Sequence, residues 1–213
     1  GYNTRWGAPA LESLLKGDDC SGAVLWTVFL GANDAAMPLG HRQHVPLLEY
    51  EENLKAMLRR IQAASTAPPN IIVISPPALD EKKWLAFLRL RNSSLATPDR
   101  TDANAGLYAA AARRAAAECG AEFLDLHAIF HAQPRPVADF VSDGLHLNEA
   151  GNELVYTVLI DLIAKRLPFL AVTPDKFTGA FHNSGSTSRL PPEFPWHDAI
   201  TAGPPHHAMF SKI

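Results

Sequence analysis

Eight consecutive residues without a charge, Ala23 to Leu30, run straight into Gly31. The run shows no polar alternation and is far too short to span a bilayer. It fits a strand buried on both faces, as in a parallel sheet covered by helices. The chain after it repeats that theme. Leu48 to Gln62 places Leu54, Met57, Leu58 and Ile61 on one helical face, as core rather than a cofactor box, with charges opposite. Ile71 to Ile74 is a second short strand, stopped by Ser75-Pro76-Pro77. Glu81 to Arg91 reads as a helix, and Asp102 to Cys119 as a long Ala-rich one with Gly120 at its end. Glu122 to Leu126 is a third strand. Asn148 then caps a helix from Glu149 to Arg166, which Pro168 follows. Strands separated by helical crossovers predict an α/β fold with a parallel sheet and helices on both faces. Ligands in such sheets sit beyond the C-terminal ends of the strands. Three strands are few for this length, and a doubly buried first strand wants a neighbour on each edge. N-terminal strands are therefore expected to be missing from the chain.

The 213 residues, 47% of them hydrophobic, suffice for one core. We place that domain at 1–170. From Thr173 onward Pro, Gly, Ser and His dominate, so 171–213 is expected to be an irregular tail packed on or near the domain. A formal net charge of −3 without runs of Lys or Arg argues against a nucleic-acid partner, and Arg113-Arg114 reads as a solvated face. Cys20 and Cys119 are too few for a disulfide scaffold. Nothing reads as a signal peptide or a spanning segment, so no membrane insertion and a cytoplasmic location are expected. The chain opens on Gly1, which fits both loss of an initiator Met and a start inside a longer protein. A myristoylation signal would need Ser or Thr where Arg5 stands.

Asp143-Gly144-Leu145-His146 carries the clearest chemistry. A carboxylate three residues before an imidazole can reach the near ring nitrogen, fix the tautomer and leave the far nitrogen free as a base. The plainer alternative is an Asp that caps a turn beside a satisfied core His. Gly31-Ala32-Asn33-Asp34 leaves the first strand where a site belongs, though Asn33 could equally form an Asx turn. Asp34 reads as a loop brace. His127 and His131 could share a helical face and bind a metal, but no third ligand of matching spacing accompanies them, so no metal is expected. His206-His207 reads as a solvated pair in a Pro-rich tail.

Taken in order, Gly1 to Trp6, Gly31 to Ala35 and Asp143 to Leu147 resemble the SGNH (GDSL-type) hydrolases, in particular their isoamyl-acetate-hydrolysing esterase branch. The likeness continues through His44-Val45-Pro46-Leu47, the Pro-containing loop after the second strand and Asn148 to Asn152, with a weaker echo at Trp196-His197-Asp198. It leaves 40–44 and part of the tail largely unmatched. The resemblance implies a three-layer α/β/α, flavodoxin-like sheet. It implies that His146 is the base, oriented by Asp143, and that the Gly1 N–H and the Asn33 side-chain amide form an oxyanion hole. It implies a small, acetate-like carboxylic ester as substrate and no cofactor. The family's serine nucleophile lies upstream of the glycine, in a Gly-Asp-Ser turn after the first strand, and this chain begins at the glycine. The first strand, the nucleophile turn, the helix after it and the second strand are thus expected to be absent, and Gly1 to carry an ammonium group. Ser142 lacks a strand-to-helix elbow, and Ser13, Ser21 and Ser75 read as turn or cap residues. The 213 residues are therefore expected to be inactive as written. The alternative is a non-catalytic pseudoenzyme or truncated product that keeps a ligand pocket. A metal-dependent phosphoesterase ranks third, for want of an acidic or His cluster. An edge left by the absent strands is expected to favour a homodimer.

Overall fold

The computed structural model describes residues 1–16, 20, 22–38 and 42–171. Among these are three strands, β1 (Leu25–Phe29), β2 (Asn70–Ile74) and β3 (Glu122–Leu124). Six helices accompany them: α1 (Thr4–Leu15), α2 (Leu47–Ala64), α3 (Glu81–Arg89), α4 (Asp102–Glu118), α5 (Leu126–His131) and α6 (Glu149–Arg166). The strands form one parallel sheet in the order β1-β2-β3. Ser21, 39–41 and 172–213 lie outside the described residues, and with them the expectations for the tail, Trp196-His197-Asp198 and His206-His207.

The period-2 alternation of β2 divides the interior into two cores. Ile71 and Val73 point to one side and pack with Leu54, Leu58 and Ile61 of α2 and Ala111, Ala112 and Ala115 of α4. Ile72 and Ile74 point to the other side and pack with Leu126 and Phe130 of α5 and Ile163 of α6. Helices thus cover both faces, as the crossovers require. The small Ala side chains of α4 let it approach α2 closely, and Tyr108 fills the remaining space by stacking obliquely on Tyr50 at 5.0 Å.

Short polar residues start the helices where the hydrophobic pattern begins. Asp80, Thr101, Asp125 and Asn148 each accept a backbone N–H from the first turn of α3, α4, α5 and α6. Cys119 ends α4 and Gly120 follows with φ +66°.

Several expectations need correction. β3 stops at Leu124, because Asp125 caps α5 instead of continuing the strand. Helix α1 was not read from the sequence, since Pro9 inside it lacks the N–H that a helix interior uses. Asn3 starts it by accepting the Trp6 N–H, and Ser13 therefore sits within a helix rather than in a turn. β1 is not buried on both faces: it pairs only with β2 and forms an edge. Val28 is buried on the face covered by α1 and α2, whereas Thr27 and Phe29 on the opposite face are exposed. Of the residues of α6, only Gly151 and Ile163 are fully buried.

Candidate active site

Three loops meet beyond the C-terminal ends of β1 and β2, where ligands bind in sheets of this type. The first leaves β1 through Gly31, whose φ of +126° and position against the Tyr50 hydroxyl and Pro76 exclude a side chain. The chain then turns tightly, with the Ala35 N–H donating to Gly31 O and the Ala36 N–H to Asn33 O. His44 donates through Nδ1 to Ala36 O at 2.6 Å and Asn104 to Ala35 O at 2.7 Å, which braces the turn. Asn33 is thereby held in place. Its Oδ1 accepts from Arg100 Nη2 at 3.2 Å and its Nδ2 donates to Tyr2 O at 2.9 Å. The other proton of that amide has no partner among the described residues. Gly1 lies directly against it: a Cβ there would fall 2.8 Å from Asn33 Nδ2, so only glycine allows the approach.

Asp34 is fully buried and accepts the backbone N–H of Thr4 at 2.8 Å and the Thr4 hydroxyl at 2.5 Å through one oxygen. It ties the Asn33 turn to the start of α1, the brace its position suggested. Burial pushes its carboxyl up to about 6, against the opposing hydrogen bonds from Thr4.

The second group is the 140–148 loop. Val141 and Leu147 bridge antiparallel, and the Ser142 N–H donates to His146 O at 2.7 Å, so the loop closes on itself. Asp143 serves this turn twice through Oδ1, accepting the N–H groups of Leu145 at 2.9 Å and His146 at 2.8 Å. Its Oδ2 accepts from Nδ1 of His146 at 2.7 Å. Burial alone would raise the Asp143 carboxyl, but these hydrogen bonds and the imidazole outweigh it and hold it below the usual range. Asp143 is therefore ionised at neutral pH. It fixes Nδ1 of His146 as the protonated nitrogen and leaves Nε2 as the free base. The imidazole is open, its side chain 69% exposed.

The third group is α3 and the loop before it, which anchor the other two. A Cβ on Gly144 would fall 2.2 Å from the Trp84 nitrogen, and its φ is +104°, so glycine is required twice over. Asp80 N–H donates to Gly144 O at 2.8 Å, and Lys83 Nζ donates to Val141 O at 2.6 Å. The indole of Trp84 meets the His146 ring edge-on at 6.0 Å and donates through Nε1 to Asp99 at 2.6 Å. The guanidinium of Arg100 lies 5.7 Å from the Trp84 ring and also bonds Asp99, Gln43 Oε1, Ala32 O and Asn33. A continuous chain of contacts, Asn33–Arg100–Trp84–His146, thus links the amide and the imidazole. Neither Arg100 nor Trp84 stood out in the sequence, since their partners are far away along the chain.

Among the described residues no hydroxyl bonds to Nε2 of His146. Ser142 donates its hydroxyl to His146 O at 3.1 Å, not to the ring. Ser75 is fully buried and donates to Pro76 O.

Residues 1–154 match the GDSL-like lipase/acylhydrolase family. Among characterised sequences, the chain is 38% identical to the isoamyl acetate-hydrolyzing esterase 1 homolog of Bos taurus, over 80% of this chain and 69% of that one. It is 38% identical to a GDSL esterase/lipase of Arabidopsis thaliana, over 78% of this chain and 69% of that one. To the isoamyl acetate-hydrolyzing esterase of Saccharomyces cerevisiae it is 29% identical, over 79% and 67%. Among solved structures, the lipase/acylhydrolase from Enterococcus faecalis superposes with a TM-score of 0.56 at 23% identity, covering 77% of this chain and 71% of that one. An acetylxylan esterase from Geobacillus stearothermophilus gives 0.54 at 19%, covering 73% and 66%. The last two likenesses bear on the fold.

Proposed function

The chain belongs to the GDSL-like lipase/acylhydrolase family, and from that premise we propose that it carries the base and oxyanion side of a serine-esterase site for small, acetate-like esters. The observation that carries this reading is the 2.7 Å bond between Asp143 Oδ2 and His146 Nδ1, which leaves Nε2 free at the sheet end that also holds Asn33.

In this reading Nε2 of His146 takes the proton of an attacking hydroxyl and returns it to the leaving alcohol. Asp143 stabilises the imidazolium formed between those steps without taking its proton. The carbonyl oxygen becomes an anion in the tetrahedral intermediate. The free proton of the Asn33 amide is one donor to it, and the backbone nitrogen of Gly1, the residue that packs against that amide, is a second. Arg100 is a positioning residue, because it holds Asn33 Oδ1 and so aims Nδ2. The open exposure of His146 and the Trp84 indole beside it suit a small acyl group better than a long chain held in a deep tunnel. The partner is a small-molecule ester; no cofactor enters the scheme.

The nucleophile is the part these residues do not supply. A polypeptide of these 213 residues is proposed to be catalytically silent, since no serine hydroxyl among the described residues meets Nε2 of His146. The pseudoenzyme reading draws on the Asn33–Tyr2 bond, which already occupies one of the two amide protons. The test is p-nitrophenyl acetate hydrolysis by the purified chain beside its His146→Ala variant. We expect both to stay at the buffer rate. Turnover that depends on His146 in the chain alone would overturn the silent state and force a search for a nucleophile within it.

A further inference from the structure

We propose that Asp102, His127 and His131 form a binding site for a divalent first-row transition ion, with Zn2+ as the ion their ligand chemistry matches best. His127 and His131 lie one turn apart on α5, their rings 4.8 Å apart between centroids. The third donor comes from another element. Asp102 is the first residue of α4 and lies 25 positions before His127 in sequence, so the spacing of the histidines gave no hint of it. In the fold its Oδ2 is 2.8 Å from His131 Nε2 and its Oδ1 is 3.4 Å from His127 Nε2. One ligand atom from each residue falls within 4.8 Å of the other two. Around a tetrahedral zinc with bonds of about 2.0–2.1 Å, ligand atoms sit roughly 3.3 Å apart. Small ring rotations therefore bring the two imidazole nitrogens and one carboxylate oxygen onto one ion.

The surroundings support a ligand set rather than a chance cluster. Gly106, one turn after Asp102 on α4, gives the His127 ring its place: a Cβ there would fall 3.0 Å from Cε1 and 3.3 Å from Nε2. The carboxylate is oriented from behind by the Leu79 N–H at 3.0 Å, the kind of outer hydrogen bond that fixes metal-binding carboxylates. The Ser75 hydroxyl accepts the His127 backbone N–H at 3.3 Å and so anchors the first turn of α5. The Glu81 carboxylate accepts the Asp102 N–H at 2.8 Å, and among the described residues no Lys or Arg hydrogen-bonds to the three ligand side chains. His131 is 48% exposed at its side chain, which leaves the outer position open to water and to the incoming ion. Two imidazoles, one carboxylate and a water complete a four-coordinate sphere that suits zinc, cobalt or nickel and not calcium or magnesium.

Titration of the purified 213-residue chain with Zn2+ against a chromophoric chelator tests this, with the visible spectrum of the Co2+ form as a second readout. We expect one ion per chain at this site and a raised melting temperature with Zn2+. His131→Gln, a change at a half-exposed position, should weaken binding at least about tenfold and abolish the melting shift, and His127→Gln should do the same. Replacing His206 and His207 by Ala should leave the titration unchanged. Wild-type binding in both glutamine variants would overturn the proposal, and so would a chain that takes up no ion at about 100-fold excess over protein.

Discussion

Asp34 stands beside the proposed oxyanion donor and is held at no exposure with one carboxylate oxygen lacking a partner among the described residues. Its carboxyl is raised to about 6 by burial. The folded state therefore keeps a proton that the unfolded chain has already released between about pH 4 and 6. Stability from this group is present below that window, falls as pH rises through it and stays lower above. The shift corresponds to about 3 kcal/mol. Asn at this position keeps an acceptor for Thr4 and does not titrate. In urea unfolding at a series of pH values, Asp34→Asn should lack this decline between about pH 4 and 6, so the difference from wild type changes across that window. A constant difference across it would contradict the account of Asp34. At this scale the Asp143–His146 pair was legible, because a three-residue spacing in a turn fixes a contact by local geometry. Arg100 on Asn33 and Asp102 on His131 were not, since they join residues 67 and 29 positions apart and leave no local pattern.

β1 is the element whose surroundings differ most from what its composition calls for. Its apolar run predicts burial on both faces, yet one face is only partly covered, Leu25 packing on the second core while Phe29 is 43% exposed, and one edge is unpaired among the described residues. An apolar edge of this kind templates pairing with another strand. We predict that the 213-residue chain self-associates through it. Phe29→Lys places a charge on the exposed strand and should weaken association at least about tenfold, measured by sedimentation across a concentration series. A monomer at all concentrations, or association untouched by the Lys, would contradict this. The other elements were more readable. Local helical patterns located α2, α3, α4 and α6 to within a few residues, α6 also through its N-cap Asn148, since these are properties of the local chain. α1 escaped because Pro9 reads as a helix breaker, and its first turn is held by the distant Asp34.

The molecule as a whole is a parallel sheet with helices on both faces, built from crossovers that the alternation of strands and helices already implied. No helix among the described residues is long and apolar enough to cross a membrane. The family could be read from three short motifs in order, whereas each motif alone admits a plain structural explanation. The division of labour within the site was not legible, because it depends on loops from three elements meeting beyond the strand ends. The central claim is that Asp143, His146 and Asn33 form a working base and oxyanion donor that need only a serine. The direct measurement supplies one: an N-terminal segment from a related esterase, containing the first two strands and the Gly-Asp-Ser turn, is co-expressed with this chain, and p-nitrophenyl acetate turnover is measured. The account predicts a soluble complex with esterase activity that falls on the order of 10³-fold or more in His146→Ala and about 10²–10³-fold in Asn33→Ala. A soluble, folded complex with no activity, or activity indifferent to His146, would contradict it.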